Sequence, residues 1–187
     1  MEADLAVELG PDDETLEMPW AGGGGGPRYY DLKRHPELLP EIEEARRACE
    51  LGEFLKVINS AESTLETAKC DVWSSAEIGP EEEIFGAALK FGSYVDLLFS
   101  EEHARFSFLE HEQFARRLAQ LLKKAPEMAA SAEFLVRRCN YHVGEEVRDG
   151  FYITFYLFGY GDDEALARQR WAIALKLVEN AIRQATR

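Results

Sequence analysis

From about position 36 onward, apolar side chains return every three to four residues along most of the chain. The period is visible in residues 54–65, 84–98, 106–122, 128–139 and 166–181. This spacing places apolar side chains on one face of an α-helix, whereas a strand with a single buried face shows strict alternation. The pattern therefore predicts a series of amphipathic helices that pack through their apolar faces.

Proline, glycine and acidic residues mark where these helices begin and end. Pro80 with three following glutamates is typical of a first helical turn, because proline fits there and acids favour the positive end of the helix dipole. Pro126 and Gly144 interrupt the pattern, and Asp162 or Asp163 is suited to cap the last helix. A length of 187 residues is typical of a single domain. Together with the spacing pattern, it predicts an all-α fold, a single-domain bundle of six or seven helices.

The segment from Glu146 to Tyr160 fits this pattern least well. Its core, residues 151–158, is rich in aromatic and β-branched side chains, which favour strands. A lone strand would lack a partner in an otherwise helical chain, so a helix that is apolar on all sides, at the centre of the bundle, is the favoured interpretation. The strand alternative stays open, and it would place on one face Tyr152, Thr154, Tyr156, Phe158 and Tyr160.

The first 27 residues differ in composition from the rest. Residues 1–26 contain seven acids and no lysine or arginine, and five consecutive glycines precede Pro27. We expect a disordered or extended, flexible acidic tail with a Gly-rich tether over 1–27, followed by a helical domain over 28–187. Leu16, Met18 and Trp20 would bind a protein partner, as a short peptide that orders on contact. The alternative is an inert solubilising tail.

Charge and composition limit the classes of partner. The formal net charge is -14, which opposes binding to phosphate backbones, so no nucleic acid is expected. No membrane association is expected either, because the chain lacks a long apolar run and a basic leader, and the predicted location is cytoplasmic. The three cysteines are far apart and predict reduced thiols rather than a disulfide framework.

No arrangement of residues predicts a catalytic or metal site. Cys139 and His142 are three residues apart, but the end of a helix disfavours a thiolate, and a packed cysteine is the simpler interpretation. His103 and His111 are too far apart on one helix to share an ion. The glycine run has neither a preceding strand nor a following Lys-Ser/Thr, which excludes a phosphate loop. The sequence leaves any cofactor unknown.

Three functional hypotheses follow from these observations. The leading one is a non-enzymatic protein–protein interaction or assembly subunit or adaptor. The rival is a helical bundle that binds a small ligand or cofactor, with or without weak catalysis, in an aromatic pocket. The candidate pocket residues are Tyr152, Tyr156, Tyr160, Trp171, His142 and His111. A third hypothesis is an acidic chaperone-like protein that shields the basic surface of a partner.

Overall fold

The computed structural model of the protein describes residues 1–22 and 28–186, and within them it shows a mixed α/β fold with one six-stranded sheet. The strands are β1 (Glu2–Glu8), β2 (Thr15–Met18), β3 (Leu65–Ser75), β4 (Leu89–Phe99), β5 (Ala130–Val143) and β6 (Glu146–Gly161). The α-helices are α1 (Glu43–Arg47), α2 (Cys49–Ile58), α3 (Glu102–Arg105), α4 (Phe108–Leu122) and α5 (Glu164–Ala185). Two 3-10 helices span Pro36–Glu41 and Pro80–Phe85.

The sheet has the strand order β1-β5-β6-β4-β3, and β2 pairs with β5 beyond the end of β1. β1 and β2 run parallel to β5, whereas all other pairs are antiparallel. β5 and β6 form a long hairpin, and Gly144 in its turn has a φ of 64°, which glycine adopts without steric penalty. The strands β5, β6 and β4 thus form the centre of the sheet.

The helices α2, α4 and α5 cover one face of the sheet and bury the main hydrophobic core there. Trp171 of α5 is fully buried, and its indole N–H donates a hydrogen bond of 2.9 Å to Ser93 Oγ on β4. Phe54 of α2 meets Phe155 of β6 edge to face, with ring centroids 5.5 Å apart. These contacts fix the helix layer against the middle of the sheet.

The all-α helical-bundle prediction is wrong. Residues 84–98 and 128–139, which were expected to be helices, contain most of β4 and β5. A central strand that is buried on both faces lacks the alternation of polar and apolar residues by which a strand is identified. Leu97 and Leu98 of β4, for example, point to opposite faces and are both buried. The apolar residues of such a strand then match a helical period by coincidence.

The prediction of a central helix over 146–160 is also wrong, and the strand alternative is confirmed. This segment is β6, which pairs with β4 on one side and β5 on the other. β4 and β5 supply the partners that a lone strand would lack, and both lie in segments whose apolar spacing predicts helices.

The N-terminal segment, expected to be a flexible tail, contributes two strands to the sheet, β1 and β2. β1 pairs with β5 through seven consecutive residues, and β2 extends the pairing through four more. Arg137 of β5 holds the connection between them through Glu8 at 2.7 Å and Glu14 at 3.2 Å. The expected Gly-rich tether includes residues 23–27, which lie outside the described residues.

Three of the expected helices are present as α2, α4 and α5. Ser107 Oγ accepts a hydrogen bond from the Glu110 N–H at the start of α4, and Asp163 caps α5 by accepting one from the Leu166 N–H. The helix expected from the apolar period over 106–122 is α4, which begins at Phe108 after α3 and a short break. Among the described residues, no helix combines the length and the apolar character needed to cross a bilayer.

Candidate functional site

The face of the sheet opposite the helices carries a cluster of aromatic side chains. Alternation along β6 places Tyr156 and Phe158 on this helix-free face, while Phe155 and Leu157 point into the helix-side core. The strand register sets Tyr94 of β4 directly opposite Tyr156. Two neighbouring strands therefore contribute side chains to one surface.

Four half-buried rings lie side by side on this face, and we call them the aromatic row: Trp73, Tyr94, Tyr156 and Phe158. Trp73 lies 5.9 Å from Phe158 and 6.5 Å from Tyr94, and Tyr94 lies 5.8 Å from Tyr156, all between ring centroids. These separations fall within the range of favourable ring contacts. The rings support one another and still present one side to solvent.

Gly92 of β4 makes the close packing of the aromatic row possible. A Cβ atom at this position would lie 2.7 Å from a ring carbon of Phe158 and 3.1 Å from one of Trp73. The register places Gly92 between these two residues in the sheet. The missing side chain leaves the space in which the two rings meet.

A second hydrophobic cluster covers the other end of the helix-free face. Leu16 and Met18 of β2 are buried there against Leu98, Cys139, Tyr141 and Tyr152. Trp20 and Tyr29 pack against the same cluster from the segment that follows β2. The N-terminal segment therefore shields one part of the face and leaves the aromatic row half-exposed.

Asp96 of β4 is a buried carboxyl on this face. It is 3% exposed and accepts a hydrogen bond of 2.6 Å from Thr154 Oγ1. The Thr154 hydroxyl in turn accepts a hydrogen bond of 3.3 Å from Arg137. Burial raises the pKa of Asp96 to about 7; the Thr154 hydrogen bond opposes this shift, and the nearby Glu14 adds to it. This carboxyl changes charge near neutral pH although it lies inside the protein.

Replacing Asp96 by asparagine is expected to reduce the pH dependence of stability. The folded wild type keeps a proton on Asp96 up to about pH 7, whereas the unfolded chain releases it near 3.8, so the free energy of unfolding falls as the pH rises through this window. Asparagine still accepts the Thr154 hydrogen bond and has no charge to bury. We expect the free energy of unfolding of Asp96→Asn, relative to that of wild type, to rise by about 2–3 kcal/mol from pH 5 to pH 8. Urea denaturation at each pH measures this difference. Parallel pH profiles for the two proteins would contradict this description of the buried carboxyl.

A cleft of about 340 Å³ adjoins the Phe158 end of the aromatic row. Its apolar wall comes from Ile84, Phe85, Phe158 and Tyr160, and Phe85 stacks on Tyr160 with centroids 4.1 Å apart. The carboxylates that line the cleft belong to Glu2, Asp4, Glu81, Glu82 and Glu133. We call this feature the acidic cleft.

A larger cavity of about 480 Å³ lies at the β3 side of the sheet. Its walls include Trp20, Tyr30, Lys69, Cys70 and Tyr94. The indole N–H of Trp20 donates a hydrogen bond of 3.0 Å to the Ala68 carbonyl, which fixes one wall. The lining combines acids, bases and aromatic rings.

The structure does not bring the six sequence-predicted pocket residues together. Tyr152, Tyr156 and Tyr160 share the helix-free face, but only Tyr156 belongs to the aromatic row, because Tyr152 and Tyr160 are buried. Trp171 lies on the opposite side of the sheet. The remaining two are histidines in separate places.

The two histidines have different environments. His111 is fully buried in α4, its Nδ1 lies 2.9 Å from the Ser107 carbonyl, and burial lowers its pKa to about 4. His142 is exposed near the hairpin turn and contacts Glu17 at 2.5 Å. Neither histidine lines the aromatic row, the acidic cleft or the larger cavity.

The three partner-binding residues predicted from the sequence differ in their exposure to solvent. Leu16 and Met18 are 1% and 6% exposed, so their side chains are held inside the protein. Trp20 is half-buried, and Lys69 Nζ lies 5.6 Å from its ring centroid. Of the three, only Trp20 presents a side chain that a partner can touch in this conformation.

The described residues contain no group of three or more His, Cys, Asp or Glu side chains arranged to hold a metal ion. Burial raises the pKa of the Cys139 thiol to about 12 and raises that of Cys70 further. Both thiols are therefore protonated at neutral pH and are poor nucleophiles.

The aromatic row was only partly visible in the sequence. The strand alternative for β6 already placed Tyr156 and Phe158 on one face, but Trp73 and Tyr94 come from two other strands. These rings become neighbours only through the pairing of β3, β4 and β6, which the local sequence does not determine.

Comparison of the chain with protein-family models, with curated proteins and with solved structures finds no significant match.

Proposed function

We propose that this protein is a non-enzymatic protein-binding subunit or adaptor that docks a partner protein on the aromatic row. The observation that carries the proposal is the row itself, four adjoining half-buried rings on the sheet face opposite α2, α4 and α5. Tryptophan and tyrosine dominate the binding energy of protein interfaces, because they bury large areas with few rotatable bonds. A contiguous exposed apolar patch is also characteristic of interaction sites.

The paired strands β3, β4 and β6 form the base of the row. Trp73, Tyr94 and Phe158 lie on paired strands, and Gly92 lets two of the rings pack closely. A surface with a fixed shape loses little conformational entropy on binding, which favours affinity. The row is therefore suited to bind a complementary apolar surface without rearranging.

Site-specific photo-crosslinking tests this proposal. Tyr156 is replaced by p-benzoylphenylalanine, which has a similar ring, and the matched control carries the same group at Leu109, which is 58% exposed on α4. We expect the probe at position 156, and not the one at position 109, to link one host-cell protein covalently. That protein, once purified, is expected to bind wild type and to bind Phe158→Ala at least about tenfold more weakly.

Two results of this experiment would count against the docking face. One is equal crosslinking of the same protein from positions 109 and 156. The other is unchanged affinity of the purified partner for Phe158→Ala, since the Phe158 ring adjoins both Trp73 and Tyr156 in the aromatic row.

A second candidate function is small-ligand binding in the cavity beside β3. Its volume of about 480 Å³ falls within the usual range for ligand sites, and its walls combine rings with charged groups. Native mass spectrometry of protein purified from its own host tests this candidate. A retained small molecule that Tyr30→Ala and Tyr94→Ala both release would favour ligand binding, whereas a mass equal to the bare chain would favour the docking proposal.

A further inference from the structure

The acidic cleft and the aromatic row form one continuous surface. Phe158 belongs to both, and the cleft extends from it toward β1 and the 3-10 helix Pro80–Phe85. Ile84 of this 3-10 helix is 73% exposed, the highest value among the large apolar side chains of the described residues. The combined surface thus has an apolar centre, an apolar residue at one rim and carboxylates around the cleft.

The bases on this side of the sheet are already paired with acids. Lys90 Nζ lies 2.7 Å from Glu82 Oε2, and Arg137 binds Glu8 and Glu14. The Glu82 carboxylate also accepts a hydrogen bond of 2.8 Å from the Tyr160 hydroxyl. These pairs neutralise Glu8, Glu14 and Glu82, and among the other carboxylates that line the cleft only Asp4 has a basic partner within 4.0 Å in the described part of the chain.

Three cleft carboxylates have no basic partner among the described residues within 4.0 Å: Glu2, Glu81 and Glu133. Asp4 contacts Lys123 at 3.1 Å, but both groups are largely exposed, so water weakens this pair. Burial raises the pKa of Glu133, and the carboxylates of Glu8 and Asp4 raise it further. The cleft therefore carries an excess of negative charge against an aromatic wall.

A carboxylate group beside an aromatic ring is the chemistry that recognises an ammonium or guanidinium ion. Carboxylates form charge-assisted hydrogen bonds with such cations, and ring faces attract them through their quadrupole. Lys90 Nζ already lies 5.2 Å from the Phe158 centroid, so this ring interacts with a cation within the protein itself. Phosphates would be repelled by the same carboxylates.

We propose that the partner segment is basic and that one of its lysine or arginine side chains occupies the acidic cleft. The aliphatic part of that side chain packs on Ile84 and Phe158, and its charged end meets Glu81 and Glu133. A neighbouring apolar residue of the same segment then covers Trp73 and Tyr94. This inference rests on the proposed docking function and adds the chemistry of the partner.

Fluorescence anisotropy with three labelled probes tests the inference. The probes are a nine-residue peptide of alternating lysine and leucine, the matched glutamate–leucine peptide and a ten-nucleotide oligothymidine. We expect the lysine–leucine peptide alone to bind, and its affinity to fall several-fold between 50 and 200 mM NaCl, because screening weakens exposed charge pairs. Tighter binding of the oligothymidine, or equal binding of the two peptides, would overturn the inference.

A matched pair of variants separates the cleft from general acidity. Glu81→Gln/Glu133→Gln is expected to weaken binding of the lysine–leucine peptide about tenfold, whereas Glu53→Gln/Glu145→Gln, with the same change in net charge, is expected to bind like wild type. Equal affinity of the two double variants would overturn the basic-segment inference. The docking function would then still be decided separately by crosslinking from position 156. Melting temperatures identify any variant that has lost its fold.

Discussion

Replacing Gly159 by alanine is expected to destabilise the protein by about 3 kcal/mol or more. A Cβ atom at this position would lie 2.8 Å from Trp171 Cα and still closer to the Trp171 nitrogen and the Ala167 carbonyl oxygen. These are backbone atoms of α5, so the clash is relieved only if the helix moves away from β6. The displacement would open the core around the Trp171 ring. Urea denaturation followed by circular dichroism measures the loss.

Ile173→Ala is the control for this prediction, because Ile173 lies on the same helix and is 49% exposed. It is expected to change the free energy of unfolding by less than about 1 kcal/mol. A Gly159→Ala protein as stable as Ile173→Ala would mean that α5 does not press on the sheet at this point. The packing of the helix layer described above would then be incorrect.

Replacing Trp73 by alanine is expected to weaken binding of the lysine–leucine peptide by about 30-fold or more, since a central tryptophan commonly contributes about 2 kcal/mol or more to an interface. Trp73 contacts both Tyr94 and Phe158, so its loss removes one ring from the row and its contacts with two others. The stability of the fold should change much less, because Trp73 is half-buried at the surface. Anisotropy titration gives the affinity, and thermal unfolding gives the stability.

Trp20→Ala provides a control with the same chemical change outside the aromatic row. Trp20 is also half-buried, and its indole N–H donates to Ala68, so this variant will lose some stability. Its affinity for the peptide should nevertheless stay within about threefold of wild type, because it removes no ring from the row. A larger effect at Trp20 than at Trp73 would instead support the original sequence-based prediction that the N-terminal residues bind the partner.

The sequence allowed the peripheral helices to be predicted better than the sheet. α4 and α5 each have one apolar face, a capping Ser or Asp and a solvent-exposed face, so local spacing is enough to identify them. β4 and β5 are buried on both faces, and their stability comes from partners that are distant in the sequence. A local pattern contains little information about such pairing.

The N-terminal strands contained a signal that was overlooked. In β1, the acids at 2, 4 and 8 alternate with Ala3, Leu5 and Val7, which is the period of a strand with one polar face. The high density of acids directed the interpretation toward a tail. Parallel pairing of residues 2–8 with residues 131–137 spans more than a hundred residues of chain, and only a folded structure shows it.

The same surface features that support binding oppose stability. Like charges around Glu133 repel one another, and Ile84 exposes apolar area to water. A protein selected for stability alone would lose little by replacing them. We therefore expect Glu81→Gln/Glu133→Gln to unfold at the same temperature as wild type or slightly above it, although it binds the peptide more weakly.

Chemical-shift mapping tests the docking of a basic segment on the helix-free face most directly, and the mass of 21.2 kDa suits amide spectra of the labelled protein. On titration with the lysine–leucine peptide, the largest amide shifts should fall in residues 71–75, 80–85, 90–96 and 154–160. Amides on the outer surfaces of α4 and α5 should not move. Shifts confined to those helices or to the hairpin turn at Gly144, or no shifts at saturating peptide, would contradict the assignment of the aromatic row and the acidic cleft as the binding surface.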